Sequence, residues 1–282
     1  MKVLVTGGAG FIGMNLIKRL LKEGHEIVSL DNYETGFKEN HVENATYIEG
    51  DIETILYIDG KYDLVYHLAA LSRIQPSFED PTETFRVNTQ GSQCVAEWAR
   101  QKNAKVVYAG SSSRWHDPLQ SPYAAFKHMG EEIFKLYRKT YKLNAEICRF
   151  YNVYGDGEIV DGDWAAVIGI WRRQVRDGEK ITIVGDGEQR RDFTHVNDIV
   201  DALYKVGMSG EKHEDAWELG AGINYSINEM FGMFKERFPH IESIYLPDQP
   251  GNYRKTLREN DDTLERLGWQ PKDRLKDYIL SL

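Results

Sequence analysis

The sequence predicts a doubly wound α/β fold, with a parallel sheet covered by helices on both faces and a smaller mixed α/β lobe from the later chain. Three observations carry this expectation. Short β-branched runs alternate with amphipathic helical stretches up to Tyr154, the rhythm that parallel βαβ units with right-handed crossovers produce. A glycine-rich turn separates the first run from the first helical stretch, and Asp31 closes the second run.

Taken in order, Lys2 to Val5 reads as a strand and Phe11 to Lys22 as a helix, with Ile12, Leu16, Leu20 and Leu21 at helical spacing. Gly24 ends that helix and Glu26 to Leu30 returns as a strand. Ala45 to Glu49, Leu64 to Leu68, Lys105 to Ala109 and Ala145 to Phe150 supply four more strands. Thr82 to Gln101 and Pro122 to Tyr141 supply two long helices. Beyond Tyr154 the rhythm changes. Gly155, Gly157 and Gly162 interleave with Asp156, Asp161 and Asp163 as a loop, followed by a helix from Trp164 to Asp177. Strands at Ile181 to Val184 and Arg191 to His195 come next, then a helix from Asn197 to Val206 that returns to the sheet. The expected division is therefore a sheet domain of residues 1–154 plus about 191–215, and a lobe of about 155–190 and 216–282.

Composition removes several classes of function. With 282 residues, the chain carries a net charge of −9, which argues against a surface for nucleic acid or an anionic membrane, since such ligands need clustered Lys and Arg. No apolar run approaches the roughly 20 residues of a membrane span, and Met1 to Thr6 leads straight into the glycine turn, unlike a secretory leader. A cytoplasmic protein is expected. Cys94 and Cys148 read as reduced thiols, and neither they nor the eight histidines show metal-ligand spacing.

The turn Thr6-Gly7-Gly8-Ala9-Gly10-Phe11-Ile12-Gly13 lies between strand and helix. Gly7 permits the tight turn, Gly10 admits a pyrophosphate close to the backbone, and Gly13 lets the helix pack close. The phosphates then rest on the free N–H groups and positive end of the helix at Phe11 and Ile12. Asp31 at the end of the second strand accepts ribose hydroxyls and repels a 2′-phosphate, so the expected cofactor is NAD, in a Rossmann-type domain. Asn32 beside it, Asp51 and Ile52 after the third strand, and the small run Leu68-Ala69-Ala70 after the fourth complete the candidate cofactor residues on this side.

Tyr123 and Lys127 lie four residues apart on one helical face, with Ser121 able to cap the helix and Pro122 at its first position. Tyrosine is a poor base at neutral pH, and a nearby ammonium with a helix N-terminus favours its phenolate. Ser111, directly after the fifth strand, adds a hydroxyl at the carboxyl edge of the sheet, where ligands bind in such folds. This set suits removal of a hydroxyl proton while a hydride leaves the same carbon.

The chain resembles the extended short-chain dehydrogenase/reductase family over essentially its whole length. The motifs are the glycine turn, His67-Leu-Ala-Ala70, Asn88, Ser111-Ser-Ser113, Ser121-Pro-Tyr-Ala-Ala-Phe-Lys127, Arg149-Phe-Tyr-Asn-Val-Tyr-Gly155 and Gly185-Asp-Gly-Glu-Gln-Arg-Arg-Asp-Phe193. Within the family it looks most like the UDP-sugar 4-epimerases. That resemblance implies Tyr123 as the base, Lys127 as its tuning cation and nicotinamide-ribose ligand, and Ser111 with Ser112 as catalytic hydroxyls. It implies Asn88 and Phe150 at the cofactor, and Ser113, Asn152 and Arg191 at the substrate, Arg191 on its diphosphate. The residues themselves leave Arg191 a blander role, a solvated partner for Asp186 or Glu188. Similar dehydratases carry an acidic pair where Ser112 and Ser113 stand, which disfavours dehydration. C4 epimerisation of a UDP-sugar by a homodimer is the implied activity. The alternatives are another nucleotide-sugar oxidoreductase, a decarboxylase or 4-keto reductase, or a non-catalytic NAD-sensing protein. Two departures bear on substrate. Arg114 to Pro122 is shorter than the family's usual segment, and Gln249 and Asn252 replace a customary arginine and aspartate at the nucleotide.

Overall fold

The computed structural model describes all 282 residues. The first six strands are β1 (Lys2–Thr6), β2 (Glu26–Asp31), β3 (Thr46–Glu49), β4 (Leu64–His67), β5 (Lys105–Ser111) and β6 (Ala145–Phe150). β7 (Asn152–Tyr154), β8 (Ile181–Val184) and β9 (Arg190–His195) follow, then β10 (Trp217–Leu219), β11 (Asn224–Ser226) and β12 (Ser243–Leu246). Seven strands form one parallel sheet in the order 10-6-5-4-1-2-3. Chain order reverses between β1 and β4, which leaves a crevice at the carboxyl ends of those strands.

β1, β4 and β6 are buried along nearly their whole length, as strands covered on both faces are. Helix α1 (Phe11–Lys22) puts Leu16, Ile17 and Leu20 against one face. The chain then forms α2 (Ile74–Glu79), α3 (Pro81–Phe85), one π-helical turn (Arg86–Gln90), α4 (Gly91–Lys102) and α5 (Pro122–Tyr141). Trp98 of α4 and Phe134 of α5 pack on the opposite face with Tyr108. The helix expected over Thr82 to Gln101 is thus real but carries a π turn, where Asn88 points inward to the loop after β4.

The lobe contains α6 (Val167–Asp177), and α7 (Val196–Met208) returns to cover the sheet beside α1. Helices α8 (Ile227–Arg237), α9 (Asp262–Leu267) and α10 (Leu275–Ser281) complete the chain. Strands β7, β9 and β11 make a small sheet, and β8 pairs in parallel with β12. Trp171, Met230, Phe234 and Ile279 form the lobe's own core.

The tail does not lie wholly in the lobe, as the expected division had it. β10 is the edge strand of the large sheet, pairing Trp217 with Cys148, and Trp269 joins the core beneath α7, its indole N–H donating to the Asp198 carbonyl at 2.9 Å. A three-residue strand carries too little periodicity to be read. Only the neighbouring β6 and the covering α9 reveal where it belongs.

Candidate active site

The loops at the carboxyl ends of β1, β4, β5 and β6 meet the lobe around one cavity of about 520 Å³. Gly7 adopts φ +74°, and a Cβ there would stand 2.8 Å from the Ala69 amide nitrogen. A Cβ on Gly13 would stand 2.1 Å from the Gly7 carbonyl oxygen, so the first helical turn rides on the glycine turn rather than on the sheet itself. Gly8, which the sequence reading did not single out, has its own steric role, because a Cβ would fall 2.2 Å from the Ser29 hydroxyl. Gly10 caps α1 without a side chain, so the first-turn amides at Phe11 and Ile12 stay available to an anion.

Asp31 is buried, and its two oxygens accept from the Ala9 and Tyr33 amides, each at 2.8 Å. Both oxygens keep lone pairs for ribose hydroxyls. Asn32 donates to Asp51 at 2.8 Å, and Arg86 pairs with Asp51 at 3.5 Å. Asp31, Asn32 and Asp51 line the cavity together with Ile52 and Leu68 to Ala70. Turn, helix end and acid together fit a dinucleotide. Asn88 differs from expectation. It does not line the cavity, and its amide is spent clamping Leu71, accepting from the Leu71 N–H and donating to its carbonyl, both at 2.9 Å.

At the centre, Ser121 caps α5 by accepting from the Ala124 amide at 3.1 Å, with Pro122 in the first turn. The Tyr123 hydroxyl donates to Ser111 Oγ at 3.3 Å, and Ser111 Oγ also accepts from the Ser113 amide at 3.2 Å. Two accepted bonds orient Ser111 and leave its own O–H to donate into the cavity. Lys127 is buried, its ammonium donating to the Ala109 carbonyl at 2.6 Å and lying 4.6 Å from the centre of the Tyr108 ring.

Burial pulls Lys127 down to about 8. Burial also pushes Tyr123 up, opposed by the Ser111 hydrogen bond and by the charge of Arg73. The lowering of Tyr123 expected from Lys127 is therefore not what this geometry gives. Desolvation outweighs it, and the cation that acts on Tyr123 is Arg73.

Ser112, Ser113, Phe150, Asn152, Arg191, Gln249 and Asn252 complete the sequence-predicted set on the cavity wall. Arg191 is mostly withdrawn from water, which pulls it down to about 10, and its side chain donates only to the Arg190 carbonyl, at 3.0 Å. Asp186 is taken by Arg254 at 2.8 Å, so Arg191 is not its solvated partner. The short segment after Ser113 is pinned by Trp115, which lies over Arg149 at 5.1 Å and donates to Glu218 at 3.2 Å. Its neighbour His116 stacks on Tyr253, ring centres 3.9 Å apart and 8° from parallel. The buried Tyr253 hydroxyl has no hydrogen-bond partner in the chain. Arg73 and Tyr253 are cavity residues the sequence did not disclose. No His, Cys, Asp and Glu side chains gather as a metal site, and no helix is long and apolar enough to cross a membrane.

Sheet order, glycine turn and cavity are together those of dinucleotide-dependent enzymes with a Rossmann-type domain. The chain belongs to the NAD dependent epimerase/dehydratase family, whose model matches residues 3–220. It is 32% identical over 309 residues to a UDP-glucose 4-epimerase of Mycolicibacterium smegmatis, covering 99% of this chain and 96% of that one. It is 28% identical to UDP-glucuronic acid decarboxylase 4 of Arabidopsis thaliana, covering 99% of this chain and 67% of that protein. The structure of Thermus thermophilus UDP-glucose 4-epimerase complexed with NAD superposes with a TM-score of 0.91 at 28% identity, covering 99% and 97% of the two chains. The protein is an NAD-dependent member of a family that acts on nucleotide sugars.

Proposed function

We propose that the chain interconverts C4 epimers of a UDP-sugar through a 4-keto intermediate, with no net redox change. The observation that carries this reading is the Ser111–Tyr123 pair with Lys127 behind it, flanked by Ser112 and Ser113 where a dehydrating enzyme needs acids. NAD, held at the glycine turn and Asp31, supplies a hydride acceptor that can return what it takes.

In this reading Tyr123 removes the proton from the 4-hydroxyl, and Ser111 donates its free O–H to the same oxygen, holding it within reach of the base. Lys127 orients the nicotinamide ribose, and Arg73 supplies the positive charge that favours the phenolate. Phe150 packs beside the nicotinamide ring from the end of β6. Arg191 and Asn152 hold the nucleotide, Arg191 on the diphosphate, while Gln249 and Asn252 face the nucleoside. The sugar is bound less tightly than the diphosphate, so the keto form can turn and present its other face. Incubation with UDP-hexoses, UDP-N-acetylhexosamines and UDP-uronic acids, with product stereochemistry read by NMR, tests this. The expected result is a C4 epimer with no added NADH consumed. Stoichiometric NADH consumption would instead indicate a reductase, and a pentose product a decarboxylase.

A further inference from the structure

Arg73 precedes α2 and lines the cavity, yet no carboxylate stands opposite its guanidinium. Arg86 and Arg149, by contrast, are paired. Arg86 holds Asp51, Glu53 and Glu83, and Arg149 holds Glu131, Asp215 and Glu218. A half-buried guanidinium that lines a cavity without a partner is costly unless a ligand supplies the anion. Its planar fork suits a carboxylate or a phosphate.

Position separates the possible anions. The phosphates of NAD belong at the amino end of α1, under the glycine turn. Arg73 lies elsewhere, immediately before α2, whose Ser77 accepts from the Tyr123 amide at 3.1 Å, and it lines the cavity together with Tyr123. It also abuts the segment that carries Gln249, Asn252 and Tyr253. Gln75 donates to the Pro250 carbonyl at 2.9 Å, and a Cβ on Gly251 would stand 2.8 Å from Ile74. Arg73 is thus on the substrate side of the tyrosine. A second cation without an acid opposite, Arg191, acts on His116 and Tyr253. On a pyranose, C1 and C4 are opposite corners of the ring. With the 4-hydroxyl at Tyr123 and the C1 diphosphate at Arg191, a cation beside Tyr123 addresses a substituent next to C4.

We propose that Arg73 pairs with a carboxylate on the sugar, so that the substrate is a nucleotide-linked uronic acid rather than a neutral hexose. This rests on the C4-epimerase reading for its placement of the ring. The carboxyl group at C6 of a uronic acid is attached to C5, the neighbour of the reacting carbon, and falls within the guanidinium's reach.

The test compares the wild type with Arg73→Gln and Arg73→Lys, each loaded with NAD. Dissociation constants for UDP-glucuronic acid and UDP-glucose are measured by calorimetry, kcat/KM and products by NMR, and NAD affinity separately. The wild type is expected to favour UDP-glucuronic acid, and the ratio of the two constants to fall roughly 10- to 100-fold in Arg73→Gln, the worth of one charged hydrogen-bonded pair. Arg73→Lys should restore part of the ratio. Equal losses for both sugars would make Arg73 a group that only tunes Tyr123. Loss of NAD affinity with an unchanged ratio would assign it to the cofactor. A wild type that binds UDP-glucose as well as UDP-glucuronic acid overturns the proposal even if Arg73→Gln fails to fold. Pentose formed from UDP-glucuronic acid would refute epimerisation while leaving the carboxylate contact intact, so the two ideas fail separately.

Discussion

Lys127→Met should give a protein whose stability depends on pH differently from the wild type. Lys127 is buried, and burial pulls its ammonium from the ordinary 10.5 down to about 8. Its only hydrogen bond goes to the Ala109 carbonyl at 2.6 Å. Because the folded-state value is lower, the unfolded chain binds more protons between pH 8 and 10.5, and wild-type stability rises across that window. Below pH 8 the charged lysine costs the native state its full amount, which the gap from 10.5 to about 8 sets at about 3 kcal/mol. Methionine fills similar space without the charge, but leaves a carbonyl without its donor, a loss of about 1–3 kcal/mol. At pH 7 the variant should therefore be as stable as the wild type or up to about 2 kcal/mol more so. Above pH 10.5 it should be the less stable protein. Urea unfolding of both proteins at a series of pH values, with equal cofactor content, reads the difference directly. The other titrating groups cancel in that difference. Parallel profiles from pH 7 to 10.5 would refute the argument, because they would mean that Lys127 is solvated or neutralised by a partner. The same variant should lose activity, so the gain at neutral pH would mark the stability given up to keep a cation at the site.

Tyr123→Phe should lower kcat by about 10²- to 10⁴-fold, the usual worth of a positioned base, while NAD still binds. Product NMR and a cofactor titration separate the two effects. Gly13→Ala puts a methyl 2.1 Å from the Gly7 carbonyl, a backbone atom that cannot rotate away. The turn must shift, and NAD affinity should fall by more than about tenfold, read by fluorescence titration. His67 is buried between Thr6 and Ser92, and burial pulls it down to about 3. A base depressed in the folded state makes stability fall as pH drops from its unfolded value of 6.5 toward 3. His67→Gln should flatten that limb of an acid-unfolding curve, whatever it does to stability at pH 7.

What the sequence disclosed and what it hid follow from the range of the interactions. The glycine turn, Asp31, Tyr123 and Lys127 were readable because each acts through neighbours within one βαβ unit. α5 is an example, since its cap, its proline and the face that carries Tyr123 and Lys127 lie within Ser121 to Lys127. Asn88, placed at the cofactor by the resemblance, is instead turned by the π turn onto Leu71, a contact 17 residues away. Arg73 was missed because an arginine in a loop reads as solvated. Only the fold shows that no acid reaches it and that Tyr123 does. The expected effect of Lys127 on Tyr123 failed for a related reason, since helical spacing gives proximity but says nothing of the desolvation both groups suffer.

On the proposed function, the short segment after Ser113 belongs to the wall that selects the sugar. Trp115 is largely exposed, yet its ring covers Arg149 and its N–H reaches Glu218, so the segment is fastened to a charged group buried at the edge of the sheet. That anchor fixes His116, and His116 in turn gives Tyr253 a flat surface to stack on. Tyr253 belongs to the late segment that touches α2 at Ile74 and Gln75, immediately after Arg73. Three stretches distant in sequence therefore build one wall, and a change in any of them moves the others. The cavity wall proposed to face the sugar depends on that coupled arrangement, whereas the cofactor side depends on a single local turn. Cofactor identity could accordingly be carried over from a resemblance, but sugar identity has to be argued from Arg73, His116 and Tyr253 themselves.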